Sequence, residues 1–373
     1  MSNLATNLKD TAGQYLGRPA VRLGEVVLTY ADLDELSARV AGGLLAHGLR
    51  PGDRVGILLP NVLAFPVLYY GALRIGAAVV AMDPGLDARA VRRCLDERGA
   101  QLVFAADGAA CRVAPGAPDA GVMWLNVGPD FLDQVALWPQ HSTVVYREDD
   151  DEAVVLCTAD GTRAPTDIEL THGRMREAAF VAATALLDLV PDDIVMGCLP
   201  LFCPLGQSCG LNATVLAGAC LSLLPSFDAA TTLRAVGRER ATLFDGVPAM
   251  YGAMVQAGPR IPDTSGLRLS VCGGTPLPAE VRHAFADAFG TSVLEGPEPS
   301  ETSCPCTPRH PDGAEAARRP AGAALCQDAS TGRTAIVGRS RPAGGGLGGS
   351  PPHAARRGGA GRQCPDATTG RRP

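Results

Sequence analysis

The sequence predicts an α/β protein built as two stacked subdomains, each a largely parallel sheet flanked by helices. Three observations carry that prediction. Short apolar runs alternate with helix-like stretches through most of the chain. Runs such as 79–82 and 102–105 have no polar partner residues, as in strands covered on both faces. Hydrophobic residues make up 46% of the 373, enough for a large core and too many for disorder throughout.

In chain order, residues 21–30 read as two short strands around Gly24-Glu25. Thr29, with Asp32 three residues on, has the form of a capping box. In the helix it would open, Leu33, Leu36, Val40 and Leu44 share one face. Strands at 55–59, 79–82 and 102–105 then alternate with helices at 62–75 and 88–98. The run R-E-D-D-D-E at 147–152 reads as a solvated boundary, giving a first subdomain over 1–150 and a second over 151–313. Beyond it, strands are expected near 153–157, 194–199, 219–224, 241–245 and 267–271, with helices between them and one at 278–289.

From about residue 314 the composition changes. Residues 314–373 hold 10 arginines against 3 acids, with 12 glycines and 6 prolines and no strand or helix periodicity. A disordered basic tail is expected, either native or the product of a frameshift soon after Asp312 in GC-rich coding sequence. It lacks the interleaved aromatics of single-strand binders, so no nucleic acid partner is expected.

The formal net charge is −6, and a single lysine, Lys9, stands among the 33 basic residues. Any chemistry that needs a lysine elsewhere is therefore excluded. There is no charged-then-apolar leader, and the longest apolar stretch, 210–224, is too short and too rich in glycine and alanine to span a membrane. A soluble cytoplasmic protein is expected. Of the 12 cysteines, Cys157, Cys198, Cys220 and Cys272 sit inside apolar runs, as reduced core thiols do. Cys304-Pro305-Cys306 is the one close pair, with no second pair at a zinc-site spacing.

Two segments carry candidate chemistry. Residues 158–172, T-A-D-G-T-R-A-P-T-D-I-E-L-T-H, lie between an apolar run and a helical stretch. Such a loop is either a surface turn or a phosphate site, where glycines expose backbone N–H groups, hydroxyls add donors and a lysine supplies mobile charge. Residues 270–281, S-V-C-G-G-T-P-L-P-A-E-V, and 294–303, L-E-G-P-E-P-S-E-T-S, form the second cluster.

Taken with T-Y-A-D-L-D-E-L-S-A-R-V-A, P-G-D-R-V-G-I-L-L-P-N, L-P-L-F-C-P-L-G-Q, P-S-F-D and D-G-V-P-A-M-Y, these segments resemble the AMP-forming adenylate synthetases, most closely the fatty acyl-CoA ligases, over about residues 15–312. The resemblance implies that a fatty acid is activated on ATP with Mg2+ as acyl-AMP and passed to coenzyme A. It places Thr158, Thr162, Gly273, Gly274, Thr275, Ser300 and Thr302 around the nucleotide. Glu301 becomes the catalytic, magnesium-binding carboxylate, and Cys203, Gly206 and Met250 fall in the acyl site.

The departures are equally specific. The family loop reads T-S-G-T-T-G-x-P-K-G-x-x-L-T-H; Thr158, Thr162, Pro165, Leu170, Thr171 and His172 match it. Asp160 and Asp167 replace glycines, Thr166 the lysine, and Pro297 the adenine-stacking tyrosine. The family's small C-terminal domain with its catalytic lysine is not seen in the sequence. Weak ATP binding and little acyl-CoA are expected from these changes. The alternative is a non-catalytic acyl- or partner-binding remnant of an adenylate-forming enzyme. The amino-acid-activating branch is disfavoured because no aspartate follows L-P-L-F to meet a substrate ammonium.

Overall fold

The computed structural model describes residues 2–107, 122–157, 168–258 and 263–295, and the backbone of 325–327 and 334–336. Two sheets organise the chain. The first has six strands in the order β6-β5-β3-β4-β7-β8. They are β3 (Arg54–Leu58), β4 (Ala78–Met82), β5 (Leu102–Ala106), β6 (Met123–Val127), β7 (Glu152–Cys157) and β8 (Ile168–Thr171). The second has seven in the order β13-β12-β11-β9-β10-β1-β2. These are β1 (Pro19–Leu23), β2 (Val26–Thr29), β9 (Ile194–Gly197), β10 (Cys220–Leu223), β11 (Leu243–Gly246), β12 (Leu269–Cys272) and β13 (Val293–Glu295).

Neighbouring strands are parallel except at β1–β2 and β7–β8. The parallel interior follows from the sequence: β4, A-V-V-A-M, is buried at every position, and a strand covered on both faces needs crossover helices to cover it.

The sheets do not divide at residue 150. The β1–β2 hairpin joins the second sheet through parallel pairing of β1 with β10, and β7 joins the first sheet beside β4. The acidic run at 147–152 therefore turns into β7 of the first sheet, where Arg54 clamps Glu152 through Nε and Nη2 at 2.7 and 2.6 Å. Surface charge marks a turn, and a turn need not be a domain boundary. β8 lies where a loop was read, with its N-cap Thr171 opening the helix His172–Val181. In the tail, Leu325–Gln327 pairs antiparallel with Thr334–Ile336, so the reading of no strand there is corrected.

The capping box forms as read. Thr29 accepts from the Asp32 N–H and Asp32 Oδ2 accepts from the Thr29 N–H, opening α2 (Tyr30–Ala46). This helix crosses α3 (Ala64–Arg74) closely enough that a Cβ on Gly71 would lie 2.4 Å from Val40 Cγ1. The first helix, α1 (Ala5–Tyr15), was not anticipated; it buries Leu8 and Ala12. One apolar cluster joins α1, both sheets' facing surfaces and the helices between them; two smaller clusters cover the outer faces. No helix among the described residues is long and apolar enough to cross a membrane.

Arg74 is fully buried in this core, paired with Asp34 and donating from Nε to Ser37 Oγ at 2.9 Å. Burial pushes its pKa down to about 10. Breaking a buried pair costs about 3–5 kcal/mol, and Asp34 keeps 34% side-chain exposure. Arg74→Met should therefore cost less, about 2 kcal/mol, and an unchanged urea midpoint would show the pair to be dispensable.

Candidate functional site

In open α/β sheets, ligands bind outside the carboxyl ends of the strands. In the second sheet that edge is built from the loops after β9, β11 and β12. Cys198 to Leu205 leave β9 and enter a π-helical turn, Gly206–Asn212, that continues as the helix Ala213–Ala217. Such turns are rare and often stand at functional sites. After β11, Val247 leads into the helix Pro248–Ala257, with Pro248 preset at its first position. After β12 come Gly273 and Gly274, then the helix Ala279–Phe289.

Two glycines of this edge sit against neighbouring protein atoms, and a third has a backbone conformation that favours glycine. Gly273 donates its N–H to the Gly246 carbonyl at 3.0 Å, and a Cβ on it would stand 2.5 Å from Leu205 Cδ2. Gly274 has φ +95°, a conformation that favours glycine. Gly206 is tighter still: its Cβ would lie 2.2 Å from the Pro200 carbonyl oxygen, which is backbone. Gly206→Ala should cost about 1–3 kcal/mol through forced backbone movement. A urea midpoint equal to wild type would contradict the close approach.

Asn61, 3% exposed and just beyond β3, ties this edge to the first sheet. Its Nδ2 donates to the carbonyls of Gly197 and Leu199 at 3.2 and 2.9 Å, and its Oδ1 accepts from the Leu201 N–H at 2.8 Å. Asn212 does the same for the π turn: its Oδ1 accepts from Tyr70 Oη at 2.8 Å and its Nδ2 donates to Tyr69 Oη at 3.1 Å. The P-N of L-L-P-N thus holds the loop that carries Cys203.

The structure brings Cys203, Gly206, Gly273 and Gly274 to this one edge, with Thr275 exposed beside them. Cys203 is half-buried, and burial, with the Asp83 carboxylate at the end of β4, raises its thiol to about 11. It is a neutral wall residue. Met250 instead packs with Phe244, Tyr251 and Phe285 on the outer face of the second sheet. Thr158, Thr162, Ser300, Glu301 and Thr302 lie outside the described residues, as do Asp160, Thr166, Asp167 and Pro297. The proposed magnesium-binding carboxylate and most of the nucleotide contacts therefore have no described geometry. Among the described residues, no group of three or more His, Cys, Asp or Glu side chains is placed to hold a metal ion.

His172, matched to the family loop's last residue, is buried and accepts the Leu4 N–H on Nδ1 at 3.0 Å. Burial, with Arg147 nearby, lowers its pKa to about 4, so it is a neutral anchor for α1. Cys94, Cys157, Cys198, Cys209, Cys220 and Cys272 are free and buried, and Cys203 is free and half-buried.

One residue absent from the sequence-based site is a buried acid of β11. Asp245 is 3% exposed, neither carboxylate oxygen has a hydrogen-bond partner on another of the described residues, and burial raises its pKa to about 7. Only an acid standing inside the short run L-F-D-G could have signalled it.

Comparison with known proteins fits this layout. The family model described as AMP-binding enzyme matches residues 8–331, wider at both ends than the 15–312 read from motifs. A feruloyl-CoA synthase from Amycolatopsis sp is 35% identical over 281 residues, 74% of this chain and 55% of that protein. The long-chain-fatty-acid–CoA ligase FadD13 of Mycobacterium tuberculosis is 29% identical over 280 residues, 73% of this chain and 54% of that protein. The inhibitor-bound N-terminal domain of FACL13 from Mycobacterium tuberculosis superposes with a TM-score of 0.72 at 26% identity, covering 79% of this chain and 75% of that one. The chain spans about half the length of these two curated relatives. With 324 consecutive residues (8–331) matched and the carboxyl-edge site in place, this chain belongs to the AMP-binding enzyme family.

Proposed function

We propose that the chain binds a carboxylic acid with an apolar body at the carboxyl edge of the second sheet and joins it to AMP. In this reaction a carboxylate oxygen attacks the α-phosphorus of ATP, pyrophosphate leaves, and acyl-AMP forms. The thiol of coenzyme A then takes the acyl group and AMP leaves. The single observation that carries this reading is the carboxyl edge of the second sheet, where Cys203, Gly206, Gly273 and Gly274 come together in a chain of this family.

The residues present act on the acid. The loop after β9 supplies the apolar Leu199, Leu201 and Leu205, and neutral Cys203 and Gly273 border the place where the carboxylate would enter. The motif wording favours a fatty acid, and the relatives named above make feruloyl-CoA or long-chain fatty acyl-CoA.

A second reading, acid binding without turnover, is supported by Asp160, Thr166 and Asp167 in the loop that the family uses for phosphate. One assay separates the two. The full chain is incubated with ATP, Mg2+ and a radiolabelled acid, and bound acid and acyl-AMP are measured in parallel. Saturable binding with acyl-AMP supports ligation, and saturable binding alone supports the second reading. Folded protein that binds neither decanoate nor 4-hydroxycinnamate refutes both.

A further inference from the structure

Two free cysteines from distant parts of the chain hold their thiols together. Cys94 lies on α4 (Ala88–Arg98), and its thiol is hydrogen-bonded to that of Cys157, the last residue of β7.

The packing explains how they meet. Side-chain alternation sends Val80 and Met82 of β4, and Val155 and Cys157 of β7, to the outer face of the first sheet. Val91, Cys94 and Leu95, three and four residues apart, form the face of α4 that covers them in the same cluster. Met82 and Cys157 stand side by side in the parallel register of β4 and β7. Val80, Val91 and Val155 are wholly enclosed, whereas Cys94 keeps 7% exposure and Cys157 5%. The two thiols therefore stand at the rim of the cluster, within reach of a small oxidant.

They are not equivalent. The hydrogen bond with Cys157 lowers the Cys94 pKa, helped by the Arg93 and Arg98 guanidiniums against burial and Glu97. The same bond, with burial, raises that of Cys157. Since the thiolate is the nucleophile, Cys94 reacts first and Cys157 resolves.

We propose that Cys94 and Cys157 are a redox-modification site, joined as a disulfide by hydrogen peroxide and released by a dithiol. The Cys94 thiolate attacks one peroxide oxygen, the O–O bond breaks and a sulfenic acid forms. The hydroxide that leaves takes up the proton Cys94 had released. The Cys157 sulfur then attacks the Cys94 sulfur, the S–O bond breaks, and the departing hydroxide takes the Cys157 proton. Two thiols lose two electrons, and one peroxide becomes two waters. The new bond fastens α4 to the carboxyl end of β7, the end of a parallel strand at which ligands bind. It stands independently of the acid-binding reading.

The test maps the bond in the full chain. Reduced protein, freed of reductant, is exposed to hydrogen peroxide, its remaining thiols are alkylated in urea, and it is digested with trypsin. Cleavage after Arg93, Arg98, Arg147 and Arg163 puts the two cysteines in fragments 94–98 and 148–163, neither of which holds another cysteine. After exposure, the joined pair should become the main form of both fragments, and dithiothreitol should abolish it. Cys157→Ala should accumulate a Cys94 sulfenic acid, trapped with dimedone, whereas Cys94→Ala should leave Cys157 reduced. The wild-type map decides the site whether or not the variants fold. Both cysteines found alkylated after exposure overturns the proposal, as does either one joined mainly to another cysteine. Dimedone trapped on Cys157 in the Cys94→Ala chain overturns the order of attack.

Discussion

Asp245→Asn should be more stable than the wild-type chain at pH 8 and nearly equal to it at pH 4. The folded carboxyl has a pKa of about 7 because burial disfavours its charge, against an ordinary value of 3.8. Below the ordinary value of 3.8 both folded and unfolded states hold most of the proton, and the group contributes little. Between pH 4 and 7 the unfolded chain releases it while the folded chain keeps it, so stability falls as pH rises. Above pH 7 the loss is complete, and the separation of the two values corresponds to about 4 kcal/mol. Asparagine removes the titration at nearly the same size and still leaves an unpaired polar group, so the gain at pH 8 should be about 2–4 kcal/mol. Urea melts of both proteins at pH 4.5, 6 and 8 isolate the effect as a difference. Parallel stability curves would mean that Asp245 is already ionised or partnered in the folded chain.

Restoring the phosphate loop should raise ATP affinity by at least 10-fold. Thr166→Lys returns a charge-assisted hydrogen bond, which contributes about 1.5–3 kcal/mol. Asp160→Gly and Asp167→Gly return the glycines of the family loop and each remove a carboxylate, whose charge would be unfavourable beside a triphosphate. Calorimetric titration with ATP and Mg2+ reads the change directly. Equal affinities would show that the family's loop chemistry does not transfer to these residues.

Much of the fold was legible because its strands are buried on both faces. The helix at Ala88–Arg98 and the strands near β3, β4, β5 and β10 fall within about two residues of their sequence assignments. Sheet membership was not legible. The β1–β2 hairpin pairs with β10, some 200 residues away in sequence, and local periodicity cannot report such a partner. The π turn was hidden for a similar reason. Its residues, G-Q-S-C-G-L-N, have no helical apolar face, and Asn212 holds them through Tyr69 and Tyr70 of α3. Of the candidate site, the glycines were readable because close approach leaves glycine as its trace. Asp245 and Asn61 were missed because their importance lies in what surrounds them: apolar walls in one case, backbone carbonyls in the other.

The central claim, that this edge binds a carboxylic acid for joining to AMP, is tested most directly by acid-dependent acyl-AMP formation in the full chain, measured beside the chain with the restored loop. The account predicts a trace of acyl-AMP from the wild type and at least 10-fold more from the Asp160→Gly, Thr166→Lys, Asp167→Gly chain at equal ATP, in keeping with the regained hydrogen bond. Acyl-AMP from neither protein, with both folded and both offered hydroxylated and plain acids, would contradict it.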